Sequence, residues 1–529
     1  MAAMDLYDTT LRDGSQSEGI SFSVEDKLTI ARRLDALGIR FIEGGWPGSN
    51  PKDAEFFELA RGLDLGQAQI AAFSSTRRAG VAVDRDPNIQ MLLDSEAPVI
   101  TLVGKSSELH VTKVLETSLE ENLNMIADTI AYLKERGRTV FYDAEHFFDG
   151  YKDNPEYALQ TLKVATQAGA ACVILCDTNG GSLPHEVTAI VEEVGRAVDS
   201  PLGIHAHNDG ELAVANSLAA VAAGVVHVQG TINGLGERCG NANLISVIAN
   251  LKLKLGVDCV TDEQLRHLKD VAIFVSERAN RAPDPFQPFV GESAFSHKGG
   301  LHAAAVAKIE SSYQHIEPEK VGNAKRVTVS ELAGRSNVLA KANDLGIDVA
   351  PHKGVVKKVV DQIKTLESQG YAFEAAEASF ELLLRRALPD YKQPFELVDF
   401  MVLVERRRRA PSNENGEETL SEATVKVKVD GVTVHTVAEG DGPVNALDGA
   451  LRRGLVQFYP GLSKVTLADY KVRIIDEHRG TESVVRVLID STDGERHWST
   501  VGSSTNIINA SWTALADSME YWLLKYGQG

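Results

Sequence analysis

Four cysteines in 529 residues, Cys172, Cys176, Cys239 and Cys259, form no C-x-x-C pair, so neither a zinc knuckle nor a disulfide framework is indicated. No apolar run reaches the length of a membrane span. The N-terminal Met1-Ala-Ala-Met-Asp5 also lacks the basic start and apolar stretch of a secretory signal, so a reduced, cytoplasmic setting is expected. Cations are the minority charge: 54 Lys+Arg against 74 Asp+Glu give a formal net charge of -20. Phosphate binding needs clustered cations, so this balance argues against nucleic acid or an anionic membrane as a general partner. The one dense basic run, Arg406 to Arg409, reads as a solvated strand end.

The length exceeds one ordinary core and predicts two or three domains, while 43% hydrophobic and 24% charged residues are globular values. Over residues 1–260 short apolar runs alternate with segments of helical period. The expected strands are Met4–Tyr7, Arg40–Glu43, Gln69–Phe73, Pro98–Val103, Thr139–Asp143, Ala171–Cys176, Leu202–His205 and Val225–Gln229. The helical segments include Val24–Leu37, Leu119–Arg136, Pro155–Ala168 and Glu211–Ala223. Eight strand–helix units fit a (β/α)8 barrel in the α/β class better than an open doubly wound sheet. The first strand is followed by Asp8-Thr-Thr-Leu-Arg-Asp-Gly14, which is no phosphate loop. Cys172 and Cys176 fall on an expected buried strand and read as small core residues.

The polar residues sort to one end of that barrel. Arg12 and Asp13 follow the first strand, Glu43 ends the second, Lys105 follows the fourth and Glu145 the fifth. Asp177 and Thr178 follow the sixth, His205 and His207 the seventh, and Asn233, Glu237, Arg238 and Asn241 the eighth. A barrel builds its active site at these C-terminal strand ends. His205-x-His207 on a strand puts both imidazoles on one face, and with Asp13 they make a divalent-metal set; the alternative is a hydrogen-bonded pair of core histidines. Asn241 follows the loop Gly234 to Gly240, which can bring its amide oxygen close. Glu145 and His302 are candidates for proton transfer, against a solvated rim carboxylate and a helix cap respectively. Tyr313 has packing as its default reading.

Residues 261–394 are expected to form helical linker subdomains with Pro-rich breaks. Residues 395–529 read as an α+β tail of two βββα pseudo-repeats: Phe395–Val404, Ala423–Val429, Val432–Ala438 and a helix from Pro443 to Phe458, then Tyr470–Asp476, Ser483–Ile489, Arg496–Val501 and a helix from Asn506 to Leu524. The stretch Pro411 to Ser421 has the composition of a flexible linker. Each tail helix starts after a Gly-containing turn, which suits a small carboxylate effector, against ordinary capping by Asp441 and by Ser504 or Thr505.

Leu6-Tyr-Asp-Thr-Thr-Leu-Arg-Asp-Gly14, His205-Ala-His-Asn-Asp209 and Gly234-Leu-Gly-Glu-Arg-Cys-Gly-Asn-Ala-Asn243 resemble the signatures of the DRE-TIM metallolyase superfamily. Within it the chain resembles the family of 2-isopropylmalate, homocitrate and citramalate synthases. Phe41 to Asp53 and Leu102-Val-Gly-Lys-Ser106 look most like the long, isoleucine-pathway citramalate branch. The resemblance covers essentially the whole chain, including a tail similar to the family's regulatory dimer domain.

The resemblance implies a divalent metal (Mg²⁺, Mn²⁺ or Zn²⁺) on Asp13, His205, His207 and Asn241, with Arg12 polarising the keto oxygen of a 2-oxo acid. It implies that Thr178 and Glu43 bind that substrate, and that Glu145, His302 and Tyr313 form the acid/base group around acetyl-CoA, with Glu145 and His302 the alternatives for the methyl-proton base. Many relatives carry an acidic residue two positions after the histidine matching His302; here Ala303-Ala304-Ala305 follow, so no local His–carboxylate relay exists. The implied reaction condenses acetyl-CoA with pyruvate to (R)-citramalate, in a homodimer inhibited by isoleucine through its tail. The alternatives are a sibling synthase using a larger 2-oxo acid, a lyase of the same superfamily, and a non-catalytic amino-acid sensor.

Overall fold

A computed structural model describes residues 4–298, 302, 305–306, 308–327, 329–330, 334–349, 351–352, 354–406, 419–475, 480 and 482–527. It divides into two compact units, Met1–Phe295 with His315–Lys325, and Ser296–Gln314 with Arg326–Gly529.

The first unit is a closed parallel barrel of eight strands in chain order. The strands are β1 (Asp5–Asp8), β2 (Phe41–Gly45), β3 (Gln69–Ser75), β4 (Val99–Lys105), β5 (Thr139–Glu145), β6 (Cys172–Asp177), β7 (Leu202–Ala206) and β8 (His227–Gly230). Closure comes from β1 on β8, with Asp5 beside His227 and Tyr7 beside Gln229. Side chains alternate along a strand, so every second residue enters the lumen. Tyr7, Phe41, Ala71, Val99, Phe141, Cys172, Ile174 and Cys176 form one buried cluster there. The intervening residues, such as Leu6, Ile42, Ile100, Tyr142 and Val173, pack in the larger core outside the strands.

The helices follow from local signals. Val24–Leu37 opens with a capping box between Ser23 and Asp26 and closes on left-handed Gly38. Pro155–Ala168 begins with Pro after the Asn154 cap and ends on left-handed Gly169. Strands β4, β5 and β6 run past their apolar stretches to Lys105, Glu145 and Asp177. The ladder continues there because Lys105 sits in register with Glu145, and the Asn122 amide donates to the Lys105 carbonyl at 2.9 Å.

In the second unit, helices Arg335–Asp344, Val355–Ser368 and Glu377–Arg386 precede two antiparallel three-stranded sheets. The first sheet is Glu396–Arg406, Thr419–Val429 and Val432–Gly440, followed by the helix Pro443–Leu455. The second is Thr466–Ile474, Val485–Thr492 and His497–Ser504, followed by the helix Ile507–Tyr526. The βββα repetition read from the sequence is therefore present. Asp430 and Gly431 both have positive φ (47° and 85°), the geometry of a two-residue hairpin turn.

Two tail expectations change. Strand Glu396–Arg406 pairs with Thr419–Val429 so that Arg406 faces Thr419. Of the linker-like stretch Pro411–Ser421, residues 411–418 lie outside the described residues, and Thr419 to Ser421 are strand. The second tail helix is not bare, nor capped by Ser504 or Thr505. Asn506 caps it, accepting from the backbone N–H of Ile508 at 2.8 Å and Asn509 at 3.3 Å. The first tail helix has Gly442 at its N-cap rather than Asp441. Among the described residues no helix is long and apolar enough to cross a membrane.

Candidate active site at the barrel mouth

The loop after β1 is folded by its own short polar side chains. The Asp8 carboxylate accepts from the Thr10 backbone N–H (2.9 Å) and hydroxyl (2.8 Å). The Thr9 carbonyl accepts from the N–H groups of Arg12 (3.2 Å) and Gly14 (3.0 Å). This turn delivers Arg12 and Asp13 over the lumen.

Arg12 is held on three sides. Its Nε donates to Glu43 Oε1 at 2.5 Å, Nη1 lies 3.5 Å from Asp13 Oδ2, and its Cζ stands 3.9 Å from the centre of the Phe73 ring. Burial alone would favour loss of the proton, but Glu43 and then Asp13 push the guanidinium pKa up, so it stays charged. Trp46 meets Phe73 edge to face at 5.7 Å and braces it.

Asp13, His205 and His207 converge. Asp13 Oδ2 is 3.5 Å from His205 Nε2 and 3.8 Å from His207 Nε2, and the two Nε2 atoms are 3.2 Å apart. They are the one group of His, Cys, Asp and Glu among the described residues whose donor atoms are close enough for a metal ion. Asn241 forms an isolated bridge with His207, its amide nitrogen donating to the Leu235 carbonyl at 3.2 Å. Asp13 Oδ1 and Asn241 Oδ1 are buried without a hydrogen-bond partner among the described residues. Buried polar atoms are normally satisfied, so these lone pairs fit a cation.

The electrostatics agree. Burial pushes Asp13 up, but Arg12, His205 and His207 more than offset this and leave its carboxyl below the usual range. Burial lowers the pKa of both imidazoles, that of His207 to about 4, so near neutral pH both present lone pairs.

These groups line a cavity of about 560 Å³. Its wall also carries Val103, Lys105, Glu145, Thr178, Glu237 and Arg238. Lys105 Nζ is ion-paired with Glu145 Oε2. Thr178 Oγ1 accepts from the His146 backbone N–H at 2.8 Å, which leaves its hydroxyl proton free for another acceptor. Arg238 forks onto the Asp209 carboxylate with two 2.8 Å bonds and donates to the Thr178 carbonyl at 2.6 Å, tying three loops together.

The sequence-expected residues thus fall into three groups. Arg12, Asp13, Glu145, Thr178, His205 and His207 line one cavity, and Asn241 adjoins it. Glu43, expected to bind substrate, is fully buried and does not line the cavity; it accepts from Tyr7 (2.5 Å), Thr9 (2.6 Å) and Arg12, so its partner is the arginine. His302 and Tyr313 belong to the second unit, their rings stacked with centroids 4.3 Å apart. Sequence reasoning missed Phe73, Asp143 and Gln229. Period two could have found Asp143 and Gln229, since they stand two residues from Glu145 and from the lumen residue His227.

Fold and site define a (β/α)8 barrel with a candidate divalent-metal centre at its C-terminal mouth. The HMGL-like family matches residues 3–275, the homocitrate synthase post-HMGL domain-like family 289–371, and the LeuA allosteric (dimerisation) domain 374–523. The chain is 54% identical to an (R)-citramalate synthase of Geobacter sulfurreducens, over 99% of this chain and 98% of that one. It is 55% identical to one of Aquifex aeolicus, over 98% of each. A 2-isopropylmalate synthase of Methanocaldococcus jannaschii stands at 32%, over 98% and 95%. The chain belongs to the HMGL-like family, in its (R)-citramalate synthase branch.

Proposed function

We propose that this protein condenses acetyl-CoA with pyruvate and water to give (R)-citramalate and free CoA. The observation that carries this reading is the convergence of a locked arginine and a three-residue cation site in one cavity, in a chain similar over its full length to (R)-citramalate synthases. The larger-substrate 2-isopropylmalate synthases are the more distant relatives.

A divalent cation on Asp13, His205 and His207, with the Asn241 amide oxygen as fourth donor, would supply Lewis acidity toward carbonyl and carboxylate oxygens. The chain's own groups do the rest. Arg12 aims its guanidinium at the pyruvate keto oxygen, where negative charge accumulates as the carbon–carbon bond forms. Glu43 and Phe73 hold it beforehand, so no reorganisation is needed at that moment. Thr178 donates its free hydroxyl proton to the pyruvate carboxylate. Glu145, beside Lys105 in the cavity wall, takes a proton from the acetyl methyl group, the resulting carbon nucleophile attacks C2 of pyruvate, and a proton equal to the one taken passes to the new alkoxide to make the tertiary hydroxyl, which resets Glu145. For His302 and Tyr313 an acid/base role toward the thioester rests on the family resemblance alone. Water then adds to the thioester carbonyl, the carbon–sulfur bond breaks, and loss of CoA makes the sequence irreversible.

The tail is read as a homodimerising regulatory unit that takes isoleucine. Its match to an allosteric dimerisation domain supports this, as do the apolar Val398, Met401, Leu403 and Ile474, all more than half exposed on its strands. Thiol release from acetyl-CoA in the presence of pyruvate tests the reaction, and the same assay titrated with isoleucine tests the effector. No thiol release would overturn the first reading, and unchanged rates the second.

A further inference from the structure

Strand β8 carries Gln229 into the barrel lumen with no exposed surface. Its side-chain amide meets a different group at each end. Oε1 lies 2.9 Å from Nδ1 of His205, and Nε2 donates to Oδ1 of Asp143 at 3.0 Å. His205 and Gln229 are register neighbours on adjacent strands, whereas the bond to Asp143 crosses the lumen from β8 to β5.

The amide stands with its NH2 end toward Asp143 and its carbonyl end toward His205. Burial, and then the nearby Glu43, hold the Asp143 carboxyl well above the usual range, and a neutral carboxyl still offers its carbonyl oxygen to that NH2 group. A carbonyl oxygen can only accept, so His205 carries its ring proton on Nδ1. That leaves the Nε2 lone pair directed at the cluster with Asp13 Oδ2 and His207 Nε2. His207 differs: its Nδ1 is buried with no hydrogen-bond partner among the described residues. One of the two imidazoles is therefore fixed in place before any cation arrives.

We propose that Gln229, itself aimed by Asp143, is a positioning residue that fixes His205 as its Nδ1–H tautomer and so readies Nε2 for a divalent cation. The inference rests on the metal reading above and adds to it two residues that are not themselves among the expected ligands. Partners of this kind orient metal-binding histidines, and losing one weakens binding by about 10–100-fold.

The test uses the full-length protein and Mn²⁺ as the probe, with affinity measured by calorimetry rather than turnover. Gln229→Leu should weaken Mn²⁺ binding about 10–100-fold while the circular dichroism spectrum is kept. The double variant Gln229→Glu with Asp143→Asn, in which the new carboxylate accepts both from the same Nδ1–H and from the new amide, should recover most of that loss. Nitrogen NMR of metal-free, ¹⁵N-histidine-labelled wild type should show His205 Nε2 unprotonated, a readout that survives even if the leucine variant fails to fold. Equal Mn²⁺ affinity in wild type and Gln229→Leu, or a wild-type His205 protonated on Nε2, would overturn the proposal. A wild type that binds no divalent cation would overturn the metal reading along with it.

Discussion

Arg12 donates from Nε to Glu43 Oε1 at 2.5 Å, and Glu43 has no exposed surface at all. The carboxylate also takes the hydroxyls of Tyr7 and Thr9. A buried charge is tolerated when it is paired and hydrogen-bonded, and here the pairing fixes the direction of the cation that stands beside Asp13 at the cavity.

Glu43→Ala removes the acceptor for three donors at once. Breaking a buried pair from one side costs about 3–5 kcal/mol, and thermal unfolding of the barrel should register a loss of that order. Glu43→Gln keeps the shape but not the charge. Its kcat/KM for pyruvate should fall by roughly 10²–10³, the scale of losing an aligned charge-stabilising donor. An unchanged kcat/KM in that variant would mean that Arg12 is aimed without Glu43.

Glu145 is assigned the methyl proton. Glu145→Gln should lower kcat by about 10²–10⁴, the usual worth of a positioned base, and should suppress deuterium exchange into the acetyl group. Pyruvate binding, followed through Trp46 fluorescence, should change little. Retained exchange would move the base elsewhere, with His302 the next residue to replace.

His227 sits at the closed end of the lumen among Tyr7, Phe41 and Phe141, and neither ring nitrogen has a hydrogen-bond partner among the described residues. Burial, with a smaller contribution from Arg40, pushes its pKa down to about 3. The unfolded chain takes up this proton near pH 6.5, whereas the folded barrel resists it until near pH 3. The barrel should therefore keep its full stability above pH 6.5 and lose up to about 5 kcal/mol from this group as pH falls toward 3. His227→Leu should flatten that part of the denaturation-versus-pH curve. An equally steep curve in the variant would assign the acid sensitivity to other groups.

In the tail, Arg386 binds Asp517 at 2.6 Å and Glu520 at 2.7 Å, both carboxylates being buried. Arg386→Met should destabilise the second unit by about 3–5 kcal/mol, measured by hydrogen exchange in helix Ile507–Tyr526. Adding Asp517→Leu and Glu520→Met should restore much of that loss, because an apolar set carries no desolvation penalty. A triple variant as unstable as the single would argue for a role beyond charge pairing.

The barrel was legible because its strands and helices differ in period, and because caps mark the helix ends. Val24–Leu37 and Pro155–Ala168 have the predicted bounds. Arg12, Asp13, His205 and His207 were legible because a barrel gathers its C-terminal strand ends whatever their separation in sequence. The lumen contacts were not. Gln229 meets Asp143 across the barrel, and nothing local in either strand announces a partner 86 positions away. Position shows that Glu43 is a carboxylate near the mouth, but not which neighbour neutralises it. Of the linker-like stretch Pro411–Ser421, composition did not show that Thr419 to Ser421 are strand, because their pairing partners on Glu396–Arg406 are set by register and not by local sequence.

The most direct test of the central claim is thiol release from acetyl-CoA across a panel of 2-oxo acids, with and without a divalent cation after chelation. Pyruvate should give the highest kcat/KM. 2-Oxoisovalerate should be disfavoured, a pocket of this kind discriminating by about 1–3 kcal/mol per added methylene. Activity should vanish on chelation and return with the cation. Preference for a larger oxo acid, or full activity after chelation, would contradict the account.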